Sequence, residues 1–257
     1  MIGKFHISHQ SIKLTIRHLN LPINDPITRL PNYLMPSALL LSGGLDSAVL
    51  LAEEAAKGDV QPVYVAAGLA WERAERDFVA ALLASLKATR GRIAPLVSLS
   101  VDVRDVYDAS HWAVTGRPPA YHTPDEDVYL PGRNVILFGK TGVFCAAAKI
   151  DRIVVGTLAH NPFPDATPQF RSAMARALSL GLAHDVRIDA PFAAIEKADV
   201  IKRGVALGVD FALTLSCMNP SPLHCGLCSK CRERHDAFVE AGVPDPTAYV
   251  DSRYVRA

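Results

Sequence analysis

Two groups of residues in this sequence have the types and spacing that chemistry needs. The first is Ser42-Gly43-Gly44-Leu45-Asp46-Ser47, which follows an apolar run at 38–41 and opens an amphipathic stretch. A strand, a glycine turn and a helix start together make an anion site. The two glycines let the backbone bend sharply and approach a ligand closely. The first amides of a helix have no partner inside it, and the helix dipole there favours negative charge. Ser42 and Ser47 add hydroxyl donors, and Asp46 adds a carboxylate. No lysine follows the glycines, so this is not the phosphate loop that closes on Gly-Lys-Ser/Thr.

The second group is Cys217, Cys225, Cys228 and Cys231, spaced C-x₇-C-x₂-C-x₂-C. Four thiolates suit a tetrahedral Zn²⁺, and two-residue gaps let neighbouring cysteines converge on one ion. Gly226 eases the turn between the second and third ligands. A closed four-cysteine site leaves no open coordination position, which makes it structural rather than catalytic. Four cysteines can also hold an iron–sulfur cluster. His224 and His235 lie nearby and are expected at the surface, not on the metal. The fifth cysteine, Cys145, stands alone in an alanine-rich stretch and reads as a buried core thiol.

These groups need elements to hold them. From residue 35 onward, strand and helix signals alternate, the pattern of an α/β fold with a parallel sheet. Strands are expected at 38–41, 63–66, 96–101, 153–155 and 186–188. Helices are expected at 46–57, 72–87, 134–149, 168–182, 197–207 and 231–241, with Thr167 as a cap and Pro168 at the first helical position. The proline- and aspartate-rich stretch 102–131 reads as a lid or insertion. In such a sheet the ligand lies beyond the carboxyl ends of the strands, at the topological switch point. The segments 42–47, 67–75 and 157–169 should therefore line one pocket.

With 257 residues and 49% hydrophobic content, the chain suits one large domain with a small appendage. Residues 1–34 read as a peripheral extension, with an edge strand at 13–16 as the alternative, and a start at Met35 would leave a complete domain. Residues 35–210 read as the α/β domain and 211–257 as a zinc-binding C-terminal segment. Lys+Arg 27 against Asp+Glu 26 gives no electrostatic case for nucleic acid or membrane. No apolar run approaches the ~20 residues that span a bilayer, and the N-terminus lacks the pattern of a signal peptide. A soluble, cytoplasmic protein is expected, and the clustered cysteines fit a reducing compartment.

The hexapeptide at 42–47 resembles the pyrophosphate loop of the ATP pyrophosphatase superfamily. Further stretches make the resemblance specific: Y-L-P-G-R-N at 129–134, G-T-L-A-H-N-P-F-P-D-A-T-P-Q-F at 156–170, A-P-F-A-A-I-E-K-A-D-V-I at 190–201, and S-C-M-N-P…H-C-G-L-C-S-K-C at 216–231. In this order they resemble the 7-cyano-7-deazaguanine synthases of queuosine biosynthesis. The resemblance implies a Rossmann-like, five-stranded parallel sheet with helices on both faces, as in the adenine nucleotide alpha hydrolases. It implies a ligase that adenylates 7-carboxy-7-deazaguanine, aminates it with ammonia and dehydrates the amide to the nitrile. ATP, Mg²⁺ and Zn²⁺ are the implied cofactors, and a homodimer is a common state of such proteins.

Roles follow the matching positions. Ser42, Gly43, Gly44, Leu45, Asp46 and Ser47 would hold the pyrophosphate end of ATP. Asp46, Arg133 and Lys197 would be catalytic; Phe163, Asp165 and Thr167 would meet the deazapurine. Two stretches depart from the family pattern. Ala67 to Arg73 replaces a Y-G-Q-x-H-type segment, and Asp165-Ala166-Thr167 lacks the arginine that many members carry after P-D-C. These regions are expected to face the substrate or the adenine, so the departures leave open another carboxylate or amide acceptor; Trp71 and Glu72 either add to its pocket or simply begin a helix. A tRNA-thiolating enzyme shares the loop, but only Cys145 lies outside the metal set. A zinc-stapled module that senses ATP is the non-enzymatic alternative.

Overall fold

The computed structural model describes residues 36–255, so the expected N-terminal extension and its alternative strand at 13–16 lie outside the described residues. Five strands form one sheet: β1 Ser37–Leu40, β2 Val60–Ala66, β3 Val97–Ser100, β4 Arg152–Val154 and β5 Arg187–Asp189. Seven α-helices accompany them among the described residues: α1 Leu45–Lys57, α2 Glu72–Thr89, α3 Trp112–Thr115, α4 Arg133–Ala148, α5 Pro168–Leu182, α6 Lys197–Ala206 and α7 Ser229–Ala241. All strand pairs are parallel, in the order β3-β2-β1-β4-β5. This is the doubly wound α/β arrangement, and its switch point lies between β1 and β4.

The strands are apolar because both faces of the sheet are covered. Along β1 the side chains alternate between two cores. Leu39 packs with α1, α2, α6 and α7 through Leu51, Val79, Leu82, Val200 and Phe238. Ala38 and Leu40 pack on the opposite face with Phe138 and Cys145 of α4, and Met174 and Leu178 of α5 lie against the same cluster. The Cys145 thiol is wholly buried, and burial pushes its pKa up to about 12. It is an inert core group, as expected.

Local chemistry sets the helix starts. Thr167 accepts a hydrogen bond from the Phe170 amide at 3.1 Å, and Pro168 takes the first position of α5. This is the cap that the sequence suggested. The stretch expected to be irregular, 102–131, contains the four-residue α3 and a 3₁₀ turn, Asp125–Val128. A third, smaller core sits beneath it, where Trp71 stacks on Trp112 with ring centroids 5.7 Å apart.

Candidate functional site

The chain between β1 and α1 turns at Gly43, whose φ is +74°. A Cβ there would lie 3.0 Å from Cγ2 of Val79, so both the conformation and the space call for glycine. Helix α1 then starts without a side-chain cap, which leaves its first-turn amides facing the loop. Ser47 Oγ donates to the Gly44 carbonyl at 3.2 Å and lies 3.3 Å from Ser42 Oγ. The Leu215 amide donates to the Gly43 carbonyl at 2.9 Å and ties the loop to the segment before the cysteines.

Beyond the ends of β1, β2 and β4 lies a cavity of about 240 Å³. Ser42, Gly44, Asp46 and Ser47 form one wall. Tyr64 and Glu75 line another part, and Tyr129, Arg133, Thr157, Asn161, Phe163 and Asp165 complete it. The loop after β1 and the segment after β4 thus meet, as expected. Of the segment 67–75, only Glu75 reaches the cavity. Ala67, Leu69 and Trp71 turn into the third core, and Glu72 accepts the Ala67 and Gly68 amides at 2.6 and 3.1 Å. Trp71 and Glu72 therefore open a helix and do not line this cavity.

Asp46 is the most loaded residue of the loop. One carboxylate oxygen, Oδ1, is buried with no hydrogen-bond partner, and Oδ2 lies 3.5 Å from Lys197 Nζ. Burial raises the Asp46 pKa, and the Lys197 charge opposes that rise. Lys197 is the first residue of α6 and also pairs with Glu233 of α7, which pairs in turn with Lys230. Burial works against the Lys197 ammonium, but the Asp46 and Glu233 carboxylates outweigh it and raise its pKa. Burial likewise works against the Glu233 carboxylate, and Lys197 and Lys230 hold it far below the usual range. The chain Asp46–Lys197–Glu233–Lys230 lines a second cavity of about 380 Å³, which shares Asp46 with the first.

Arg133, the first residue of α4, lines the first cavity with its guanidinium 6.0 Å from the Trp71 ring. Phe163 stacks on Tyr129 at 5.2 Å. Asp165 lines the cavity, but its carboxylate is occupied: Oδ2 accepts the Asn134 amide at 3.0 Å and Oδ1 accepts Asn134 Nδ2 at 3.3 Å. Thr167 does not line the cavity, because its hydroxyl caps α5 and donates to the Pro164 carbonyl at 3.2 Å. Gly43 and Leu45 do not line the cavity: Gly43 lies against Val79, and Leu45 is buried in the core with α1 and α2. Sequence reasoning missed Tyr64 and Glu233, and reached Glu75 only as the end of the segment 67–75. None sits in a local motif, and each acts through a partner supplied by another element.

The four cysteines converge. Their sulfurs all lie within 4.8 Å of one another, with Cys217–Cys228 at 4.0 Å and Cys225–Cys231 at 3.9 Å. A tetrahedron with ~2.3 Å metal–sulfur bonds has edges of ~3.8 Å, so the cluster fits a zinc-sized ion. Backbone amides of Cys225, Gly226 and Leu227 point at the sulfurs at 3.4 Å, which favours thiolates. Gly226 has φ +74°, and a Cβ there would fall 1.8 Å from the Asp251 carbonyl oxygen. The expectation of surface histidines needs correction. His224 is buried and accepts the Ser216 amide through Nε2 at 3.1 Å, and His235 is partly covered, 3.8 Å from Asp245. Neither belongs to the sulfur cluster.

A parallel sheet with an uncapped helix start and a glycine loop at its switch point defines a protein of the doubly wound α/β class. Comparison with known proteins narrows this. The family described as "Queuosine biosynthesis protein QueC" matches residues 37–242. The chain is 32% identical over 219 residues to a 7-cyano-7-deazaguanine synthase of Methanoculleus marisnigri, covering 82% of this chain and 96% of that one. It is 33% identical over 225 residues to the synthase of Syntrophotalea carbinolica, covering 83% and 96%. It is 33% identical over 234 residues to that of Xanthomonas campestris pv. campestris, covering 84% and 98%. The chain belongs to the QueC family of queuosine biosynthesis proteins.

Proposed function

We propose that this protein is an ATP-dependent carbon–nitrogen ligase that converts 7-carboxy-7-deazaguanine, through the amide, to 7-cyano-7-deazaguanine. Family membership supports the substrate. One observation carries the chemistry: the serine–glycine loop and Asp46, which Lys197 faces at 3.5 Å, line one cavity together with Arg133 and Phe163. A carboxylate is a poor electrophile for ammonia. Transfer of AMP to it creates a leaving group, and the protein supplies position and charge.

In this reading the α1 amides, Ser42 and Ser47 receive the pyrophosphate end of ATP. The partnerless Oδ1 of Asp46 suits an oxygen ligand of Mg²⁺, which would offset phosphate charge. Lys197 then turns from Asp46 to the phosphates. Arg133 offers a planar donor fork to the phosphate or the acyl-adenylate. Phe163, stacked on Tyr129, is a platform for the deazapurine ring. Asp165 acts by fixing the start of α4, and so the place of Arg133, rather than by reading the base edge. Ammonia displaces AMP, and a second activation removes the amide oxygen. Residues 35–210 would carry these steps, and 211–257 would hold a structural Zn²⁺ on Cys217, Cys225, Cys228 and Cys231.

The departures at 67–73 and 165–167 kept another acceptor open. Trp71 is 2% exposed in a core, and Thr167 serves as a helix cap, so both are accounted for without a new substrate. The test is a mass-spectrometric assay with ATP, Mg²⁺, ammonium and 7-carboxy-7-deazaguanine. Nitrile together with AMP is the expected result. ATP binding without AMP release from this acid would overturn the substrate and call for a screen of other carboxylates.

A further inference from the structure

The proposed reaction strips protons from nitrogen, and something in the cavity must receive them. When ammonia attacks the acyl-adenylate, a C–N bond forms and the C–O bond to AMP breaks. AMP leaves with that electron pair, and the new ammonium-type nitrogen must lose one proton to become the amide. In the second activation the amide oxygen attacks the α-phosphorus and pyrophosphate leaves. The nitrogen of the resulting cation carries two protons. Loss of the first gives a neutral imidate. Loss of the second, with C–O cleavage and departure of AMP, leaves the carbon–nitrogen triple bond.

The wall of the first cavity offers few acceptors. Its titratable side chains are Asp46, Tyr64, Glu75, Tyr129, Arg133 and Asp165; among the described residues, no histidine or cysteine lines it. Asp46 is given above to Mg²⁺ through Oδ1 and faces Lys197 through Oδ2, and both Asp165 oxygens accept from Asn134. Tyr64, Tyr129 and Arg133 serve as donors. Glu75 remains. It is 8% exposed, lines the cavity from α2, and accepts the Tyr64 hydroxyl at 2.7 Å through Oε2.

Resting on the reaction proposed above, we infer that Glu75 is the acceptor of the nitrogen-bound protons, with Tyr64 holding its carboxylate in place. The same carboxyl serves amide formation and nitrile formation in turn, and it returns each proton to water between steps. Its surroundings suit that work. Burial raises the Glu75 pKa to about 7, while the Arg133 charge from α4 and hydrogen bonding from Tyr64 of β2 and from Trp71 restrain the rise and Glu72 adds to it. A group poised there takes up and releases protons near neutrality, which is where a general base is most effective.

The experiment compares wild type with Glu75→Gln, a variant that keeps the shape and can still accept from Tyr64. Two rates are read: exchange of labelled pyrophosphate into ATP in the presence of the acid, which reports adenylation, and nitrile formation from the supplied amide across pH 5.5–9. The ratio of nitrile formation to exchange should fall by about 10²–10⁴ in Glu75→Gln, and the acid limb near pH 7 of the wild-type profile should vanish. Glu75→Asp, which keeps a carboxylate, should retain that limb at a lower rate. An unchanged ratio, or the same limb in Glu75→Gln, overturns the assignment. Equal loss of both rates in Glu75→Gln and Glu75→Asp, with a lowered melting temperature, means a structural role and also overturns it. A wild-type protein silent in exchange refutes the reaction and this role with it, whereas an active wild type with an active Glu75→Gln refutes the role alone.

Discussion

At the scale of single residues, Asp46 faces two partners with two oxygens. Oδ2 answers Lys197, and Oδ1 is buried and partnerless. An amide at this position keeps the volume and loses the charge that a cation needs. Asp46→Asn should therefore lower AMP formation by about 10²–10³-fold, on the scale of removing one charge-stabilising group. Thermal melting should stay near that of wild type, and undiminished turnover would refute the role. The hexapeptide at 42–47 and the four cysteines were legible because their chemistry is written in consecutive or closely spaced residues. Glu75–Tyr64, Asn134–Asp165 and Lys197–Glu233 were not, because the members of each pair lie 11, 31 and 36 residues apart and only packing joins them. His224 misled for the same reason: polarity predicts exposure, but the Ser216 amide gives its ring a buried partner.

At the scale of elements, alternation of apolar runs with helical periods revealed all five strands and six of the seven helices among the described residues, with ends shifted by a few residues. Helix α3 escaped because four residues are too few to display a period. The elements are also cross-braced in ways that no local pattern announces. Arg152 of β4 pairs with Glu54 of α1 and lies 2.7 Å from Asp189 of β5. Burial works against the Glu54 carboxylate, but Arg152 and Lys57 prevail and hold its pKa below the ordinary 4.5. A depressed carboxylate contributes stability that is present above its unfolded value and is lost as pH falls through the folded one. Glu54→Gln should cost about 1–3 kcal/mol at pH 7 and flatten the loss of stability below pH 4.5. A denaturation series against pH checks both; an unchanged acid limb would show that the brace is idle. The cysteine knuckle behaves as an element too. Cys228→Ser should lose bound zinc, measured by elemental analysis, and lower Tm by at least about 5 °C, since metal binding and folding are coupled.

At the scale of the whole molecule, the described residues all fall in the unit Leu34–Ala257, and the family match begins at residue 37. Among the described residues, the three cores are built within that unit. A chain starting at Met35 is therefore expected to fold and to keep its activity; insolubility of that shortened chain would show that residues 1–34 complete the core. The sulfur cluster and Lys197, which the sequence presents as separate features, are joined through the first turns of α7. Cys228 caps α7 and Cys231 lies in its first turn, while Glu233, one position past Arg232, grips the lysine that faces Asp46. Unseating those sulfurs would loosen the first turn of α7 and with it the Glu233 carboxylate that holds Lys197 beside Asp46, where phosphate is expected. A chelator is thus expected to inhibit the proposed ATP chemistry first and to denature the protein only later.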